Sequence, residues 1–417
     1  MSDDVLFHRV RVRLDEPAIT DVAADTDRTL AECGVTLQPG GEVAITIGSR
    51  GIGDLVTVVA RIVAWVRGQG AVPFLVPAMG SHGGATADGQ RDVLAAYGFA
   101  DGWEGCEVRS SMDVVAVDGE HDLPVLIATD AHAAAASATI VVNRVKQHTD
   151  FHGRYESGLM KMTAIGLGKR VQAEALHAHG TRGLRELMPL VAGHVLTHGN
   201  IVLGVAIVEQ ALDRTMLVRA VPAADIPTVE PLLLDVARSH AARLPIADLD
   251  VLVVDRMGKD ISGVGLDTNV IGRTMITGEI DPVTPRIRMI SCHSLTPASH
   301  GNATGMGLAD VVTRRLADAV DHEVTRTNVV TSGFLLRGKL PVVADDDRHA
   351  WELCLRGAGV LDPATVRAAR IVDTLHCSEL WVTEAVRADL GARADIEVLE
   401  RDVPLLDATG HLRPFGG

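Results

Sequence analysis

Residues 148–180 read HTDFHGRYESGLMKMTAIGLGKRVQAEALHAHG and bring four histidines, two lysines and five glycines into one stretch. Histidine can ligate a metal or move a proton near neutral pH, and a lysine amine can form a covalent link or hold a phosphate. His148 and His152 stand four apart, the spacing of two ligands on one helical turn, although Asp150, Phe151 and Gly153 disfavour a helix there. His177 and His179 form an H-x-H pair. Lys161 follows Ser157 and Gly158, where a glycine lets a backbone or a cofactor approach closely. "GLGKR" (166–170) is similar to a phosphate-binding turn but fails the G-x-x-x-x-G-K-[ST] pattern: its first glycine falls on Thr163, and Arg170 replaces the hydroxyl residue. The stretch is therefore a metal or cofactor cradle, or a glycine-rich connection between ordinary elements.

Three predicted strands lead to segments of this kind. "EVAITIG" (42–48) runs into "GSRGIGD" with Arg50, "AVPFLVPAMG" (71–80) into "GSHGGAT" with His82, and "ATIVVNRV" (138–145) into "KQHTDFHG" with His148 and His152. The C-terminal ends of parallel strands share one edge, so Arg50, His82 and His148 converge if these strands are neighbours. Helical patterns alternate with the strands: "LVTVVARIVAWVRGQG" follows the first, Thr86 caps "ADGQRDVLAAYG", and "VEPLLLDVARSHAARL" (229–244) is amphipathic. Strands are also expected at "IVLGVAIV" (201–208) and "TMLVRAV" (215–221). "PIADLD" (245–250) precedes a fresh strand, "VLVVDRMG", and marks a boundary. After it, "GLADVVTRRLADAVD" (307–321) reads as a helix and "RIVDTLHCSELWVTEAV" (370–386) as strand material around a loop. The expected fold class is α/β: two domains with parallel-rich sheets, 1–245 and 246–417, and a ligand cleft between them.

Composition limits the function. At 417 residues two domains are expected, and with aromatics at 3 % the core must be aliphatic, as in parallel sheets covered by helices. A net charge of −15 argues against a nucleic-acid partner but leaves room for a small anionic substrate in a locally basic pocket. The N-terminal "MSDDVLFHRVRVRLDE" has no secretory pattern, and no apolar run is long enough to cross a membrane. Five scattered cysteines without a CxxC suit a reducing cytoplasm and buried packing. "GSRGIGD" has the wrong glycine order for a dinucleotide fingerprint, and no G-x-S-x-G elbow is present.

Taken together, the segments resemble the nickel-dependent lactate racemase family of 2-hydroxyacid racemases and epimerases. The resemblance runs through the N-terminal domain and, more weakly, through 251–275. "SGLMK" (157–161) stands where that family has SGGxK, which implies that Lys161 tethers a nickel-pincer nucleotide, with Ser157 and Gly158 at the cofactor. The family offset of sixteen residues from that lysine to a nickel-ligating histidine lands on His177. The two acid/base histidines match His82 in "MGSH" and His148 in "KQHTDF", with His152 competing for the second place. Arg50 in "GSRG" corresponds to the arginine that holds the substrate carboxylate, and Lys259 in "DRMGKD" to a second-domain lysine near the substrate. The run Ile47-Gly48-Ser49-Arg50-Gly51 departs from the usual Asp-His-Thr-Arg-Pro, and the histidine-to-lysine spacing is longer than usual.

The implied activity is that of an isomerase: racemisation or epimerisation of a 2-hydroxy acid, sugar acids included, by hydride transfer to and from the cofactor between two histidine bases. The implied partners are a small carboxylate substrate and cofactor-maturation proteins. The alternatives are a metal-dependent lyase or dehydratase without the pincer, and a non-catalytic carboxylate-binding protein. "ISGVGLDTNVIGR" (261–273), with Asp267, Asn269 and Arg273, is either a specificity loop or a structural crossover. His293 and His300 are further candidates to line the cleft.

Overall fold

A strand formed by Leu6–Val12, β1, fixes how the chain is divided. The computed structural model describes residues 5–13, 17–49, 51–391 and 393–415. It separates into two compact units, one of residues 16–241 and one of residues 1–15 with 242–417. Assigning residues 1–245 to one domain is therefore corrected at its start. β1 pairs antiparallel with Glu379–Thr383 on one side and Ile396–Pro404 on the other. Phe7 and Val10 are buried, while Arg9 and Arg11 both reach the Glu379 carboxylate, at 3.1 and 2.6 Å.

The unit 16–241 is built on β2 (Glu42–Ile47), β3 (Val72–Pro77), the short pair β4 (Val114–Ala116) and β5 (Ala128–Asp130), β6 (Ala138–Arg144), β7 (Ile201–Glu209) and β8 (Thr215–Pro222). Among the described residues its main sheet runs β3-β2-β6-β7-β8, parallel from β3 to β7 and antiparallel at β8. The strands that carry the candidate loops are thus neighbours, as their convergence requires. Its helices are α1 (Val22–Glu32), α2 (Leu55–Gly68), α3 (Ala87–Ala96), α4 (Ala131–Ala135), α5 (Leu159–Lys161), α6 (Lys169–His177), α7 (Gly180–Arg182), α8 (Met188–His198) and α9 (Ile226–His240). One core packs Val43, Ile45 and Ile47 with Val58, Ile62 and Val66 of α2. A second packs Ala44, Val76 and Val141 with Leu159, Leu176, Val191 and Leu234. Burial on both faces, at roughly 1.5–3 kcal/mol for each large aliphatic side chain, is why these strands read as unbroken apolar runs.

The other unit carries β9 (Asp248–Val254), β10 (Arg286–Cys292), β11 (Val311–Thr313), β12 (Val342–Ala344), β13 (Ala368–Ile371), β14 (Glu379–Thr383) and β15 (Ile396–Pro404). Its sheet order is β12-β11-β10-β9-β13-β14-β1-β15, parallel from β12 to β13 and antiparallel beyond. The helix expected over 307–321 is broken: the β-branched run Val311-Val312-Thr313 pairs with β10 and β12, and a helix begins only at Arg314. Among the described residues no helix is long and apolar enough to cross a membrane.

Candidate active site

The loops that leave β2, β3 and β6 meet one segment, residues 158–168. Glycines are required where they touch. A Cβ on Gly48 would lie 2.8 Å from Met162 Cε, and one on Gly166 would lie 2.8 Å from the Ala78 carbonyl. Gly80, at φ +60°, donates its N–H to Gly166 O at 3.2 Å. The segment holds α5, then a wide turn in which Leu167 N reaches Met162 O at 2.9 Å, an i→i+5 bond, and then α6. Such wide turns recur at functional sites.

Lys161 Nζ lies 2.6 Å from His148 Nε2. On its other side the ring is fixed by the backbone, because Asp150 N–H donates to His148 Nδ1 at 3.1 Å. A neutral imidazole has one donor and one acceptor nitrogen, so with Nδ1 accepting, the proton sits on Nε2 and points at Nζ. That arrangement favours Lys161 as a neutral amine, since an ammonium would set two donors face to face. The His148 side chain is only 12 % exposed, and burial first, with any positive charge on Lys161 next, pushes its pKa well below the usual histidine range. A neutral amine held in this way can act as a nucleophile.

His177, the last residue of α6, donates Nδ1–H to the Ala173 carbonyl at 2.7 Å, which leaves Nε2 as the nitrogen with a lone pair. A carbonyl behind the ring is how proteins orient a metal-ligating imidazole. His177 keeps much of its area in solvent, yet the atoms crowded around its ring lower its pKa and favour the neutral form, whose Nε2 lone pair can ligate. Among the described residues no group of three or more His, Cys, Asp or Glu side chains is arranged to hold a metal unaided. His82 is held differently: Ser49 Oγ engages its Nδ1, which leaves Nε2 as the second ring nitrogen.

Two buried carboxylates, absent from the sequence reading, fix this geometry. Glu156 accepts from His148 N at 2.5 Å, Gly153 N at 3.2 Å and Arg238 Nη2 at 2.7 Å, and contacts His152 Nδ1 at 3.2 Å. Burial raises its pKa, but these donors outweigh burial and hold it below the usual carboxylate range. Glu156 thereby separates the competing histidines, turning His152 toward Arg238 while His148 faces Lys161. Glu230 of α9 accepts from Met160 N at 2.8 Å and so caps the turn that bears Lys161. Its register with Leu233, Leu234 and Ala237 was the sequence signal for a buried carboxyl. A Cβ on Gly158 would lie 2.4 Å from Glu230 Oε1, so this glycine makes room for a carboxylate of the chain itself. Ser157 pairs its backbone with Lys146, at 2.8 and 3.2 Å.

Arg50 lies outside the described residues. Lys259, in the other unit, donates to the Gly263 carbonyl and, at 2.8 Å, to Asn328 Oδ1, bracing its own loop. His293 is a core residue, 1 % exposed, held between Asp347 Oδ1 at 2.9 Å and Ser291 Oγ at 3.0 Å. His300 is exposed. In the 261–273 loop, Asp267 Oδ1 caps Asn269 N at 2.9 Å and Arg273 pairs with Asp310 at 2.8 Å, which gives that loop a structural role. Cys106, Cys292, Cys354 and Cys377 are buried, and burial pushes the Cys292 and Cys354 thiols up to about 12.

Comparison with solved structures gives the fold a precedent. The lactate racemase apoprotein from Thermoanaerobacterium thermosaccharolyticum superposes with a TM-score of 0.54, covering 89 % of this chain and 99 % of that one, at 10 % identity. The chain has a lactate-racemase-like fold. A Thermotoga maritima protein solved by structural genomics matches this fold too, with a TM-score of 0.52, 87 % and 98 % coverage and 10 % identity. No family model and no curated protein matches the sequence.

Two outcomes are expected within this lactate-racemase-like fold. Burial pushes the Glu230 carboxyl up to about 7 from 4.5 against the opposing Met160 N–H, so folding favours its protonated form. That contribution is complete below pH 4.5 and is lost as pH rises through about 7, a loss of about 3 kcal/mol. Glu230→Gln should flatten the stability profile over this window in pH-dependent urea unfolding; an unchanged slope contradicts it. In chain expressed without cofactor, a small acylating reagent at pH 7 should modify Lys161 ahead of exposed Lys339, read by peptide mass. Acylation of Lys339 with Lys161 untouched contradicts the amine assignment.

Proposed function

We propose that the chain is an isomerase that inverts the hydroxyl-bearing carbon of a 2-hydroxy acid, using a nickel-pincer nucleotide held by Lys161 and His177. The observation that carries the reading is the 2.6 Å contact that presents Lys161 as an amine. The residues fit the group: a tether needs an unprotonated lysine, and the metal needs one neutral imidazole whose other nitrogen is tied back, which the His177–Ala173 bond supplies. The fold shared with a lactate racemase apoprotein supports the same assignment. When bound, the group supplies a hydride acceptor and donor for the Cα hydrogen.

The chain's own residues supply binding and proton transfer. With the group tethered, the Lys161 nitrogen would be an amide and accept no hydrogen bond, which would leave His148 Nε2 available to a substrate oxygen. His148 and His82 are the two acid/base groups, each exchanging a proton at Nε2: Ser49 Oγ engages His82 Nδ1, and His148 takes a proton at Nε2 when its ring proton is on Nδ1, where Asp150 Oδ2 stands 3.6 Å away. Two such groups are needed because either enantiomer must be deprotonated at its hydroxyl and the opposite one reprotonated. Held below its usual pKa, His148 is a neutral imidazole at neutral pH. Arg50 is the proposed partner of the substrate carboxylate, since a guanidinium fork binds both oxygens.

The test is chiral analysis of single enantiomers from a panel of 2-hydroxy and sugar acids, with cofactor-loaded protein. Racemisation or epimerisation of at least one acid is expected, with His82→Ala and His148→Ala each lowering turnover by about 10²–10⁴. Full turnover in either variant removes that histidine from the mechanism, and inversion of none of the acids contradicts the assignment.

A further inference from the structure

Lys169 belongs to "GLGKR", which fails the phosphate-loop pattern, yet its side chain is tightly constrained. It is fully buried and has a left-handed backbone, φ +54°, which costs a non-glycine residue roughly 1–2 kcal/mol. Its ammonium lies 2.9 Å from Asp130 Oδ2, and Asp130 is itself fully buried. Buried ion pairs are often no more stabilising than apolar side chains of the same size, so packing alone does not account for this one.

What a lysine does here and an apolar side chain cannot is donate. Nζ donates to the Pro77 carbonyl at the end of β3 and, at 3.3 Å, to Gln90 Oε1. That contact sets which way the Gln90 amide faces. With Oε1 toward Lys169, Nε2 is turned to the His82 loop, where it donates to Gly80 O at 3.0 Å and His82 O at 3.2 Å. Gln90 is fully buried on α3. From the far end of the same helix Tyr97 Oη holds the Ser49 carbonyl at 2.7 Å, and Ser49 Oγ engages His82 Nδ1. The side of the loop that faces away from α3 rests on the turn after Lys161, through Gly80 and Gly166.

We propose that Lys169 and Gln90 are positioning residues that hold the His82 loop in register with the segment joining Lys161 to His177. The chain of donors runs from the first residue of α6, through the Gln90 amide, to the two carbonyls that flank Ser81. The inference rests on the reading of His82 as a proton-transferring group, and it concerns groups that touch neither substrate nor cofactor.

The experiment is histidine-selective NMR on the full-length chain, comparing wild type with Lys169→Met and Gln90→Met. Loss of either donor should change the ratio of Nδ1–H to Nε2–H tautomers at His82 by about tenfold, the effect of one lost hydrogen bond, and leave His148 as it was. Should Lys169→Met not fold, Gln90→Met decides, because it keeps the Lys169–Asp130 pair. In cofactor-loaded enzyme both variants should lower kcat by about 10²-fold at nearly constant KM. A folded Gln90→Met chain whose His82 tautomers match wild type overturns the proposal. A chain that shifts at His82 but inverts no hydroxy acid keeps the coupling and rejects the isomerase reading instead.

Discussion

A lysine that is to be a nucleophile must give up its proton, and water at neutral pH will return it unless a partner of the right kind stands in the way. His148 is that partner, and the consequences run outward from its 2.6 Å contact with Lys161. The imidazole must be neutral, so it is largely buried. It must present Nε2–H, so the backbone of Asp150 takes Nδ1. Its loop must not slide, so the buried Glu156 carboxylate gathers His148 N, Gly153 N and Arg238. The lysine must come from a fixed direction, so Glu230 caps its short helical turn from across the core, and Gly158 has no side chain there.

The parallel sheet makes such a concentration of polar groups affordable. Loops that leave β2, β3 and β6 at one edge are held by strands buried on both faces, so the polar contacts need not stabilise the scaffold. Each carboxylate then acts on backbone N–H groups or on a cation rather than standing alone, which keeps the cost of burial within bounds. The two acid/base candidates are oriented by unlike means, a backbone N–H for one and a serine hydroxyl for the other. Their surroundings also differ, His148 largely buried and His82 exposed.

The frame was legible in the sequence because two-sided burial leaves a direct mark. The runs that became β2, β3, β6 and β7 were each apolar and each followed by glycine or polar residues, and their adjacency brought the His82 and His148 loops to one edge. Contacts between residues far apart in sequence left no such mark. β1 pairs in the sheet of the other unit with partners some 370 residues away. The Val311–Thr313 strand was hidden inside a helical periodicity, since three β-branched residues settle into a strand only when neighbours offer an edge. Spacing cannot say whether a histidine faces a cleft or, like His293, a buried aspartate. Nor could it show that His148 faces Lys161 while His152 meets the Glu156 carboxylate. Lys169 left no such mark either, because its partners Asp130 and Gln90 are 39 and 79 residues off.

The central claim is that Lys161 is a covalent tether. It is tested most directly by peptide mass analysis and nickel determination on chain purified from cells able to make the cofactor. The Lys161 peptide should carry the mass of a thioamide-linked nucleotide, with about one nickel per chain. An unmodified Lys161 in chain that nonetheless inverts a hydroxy acid would contradict it.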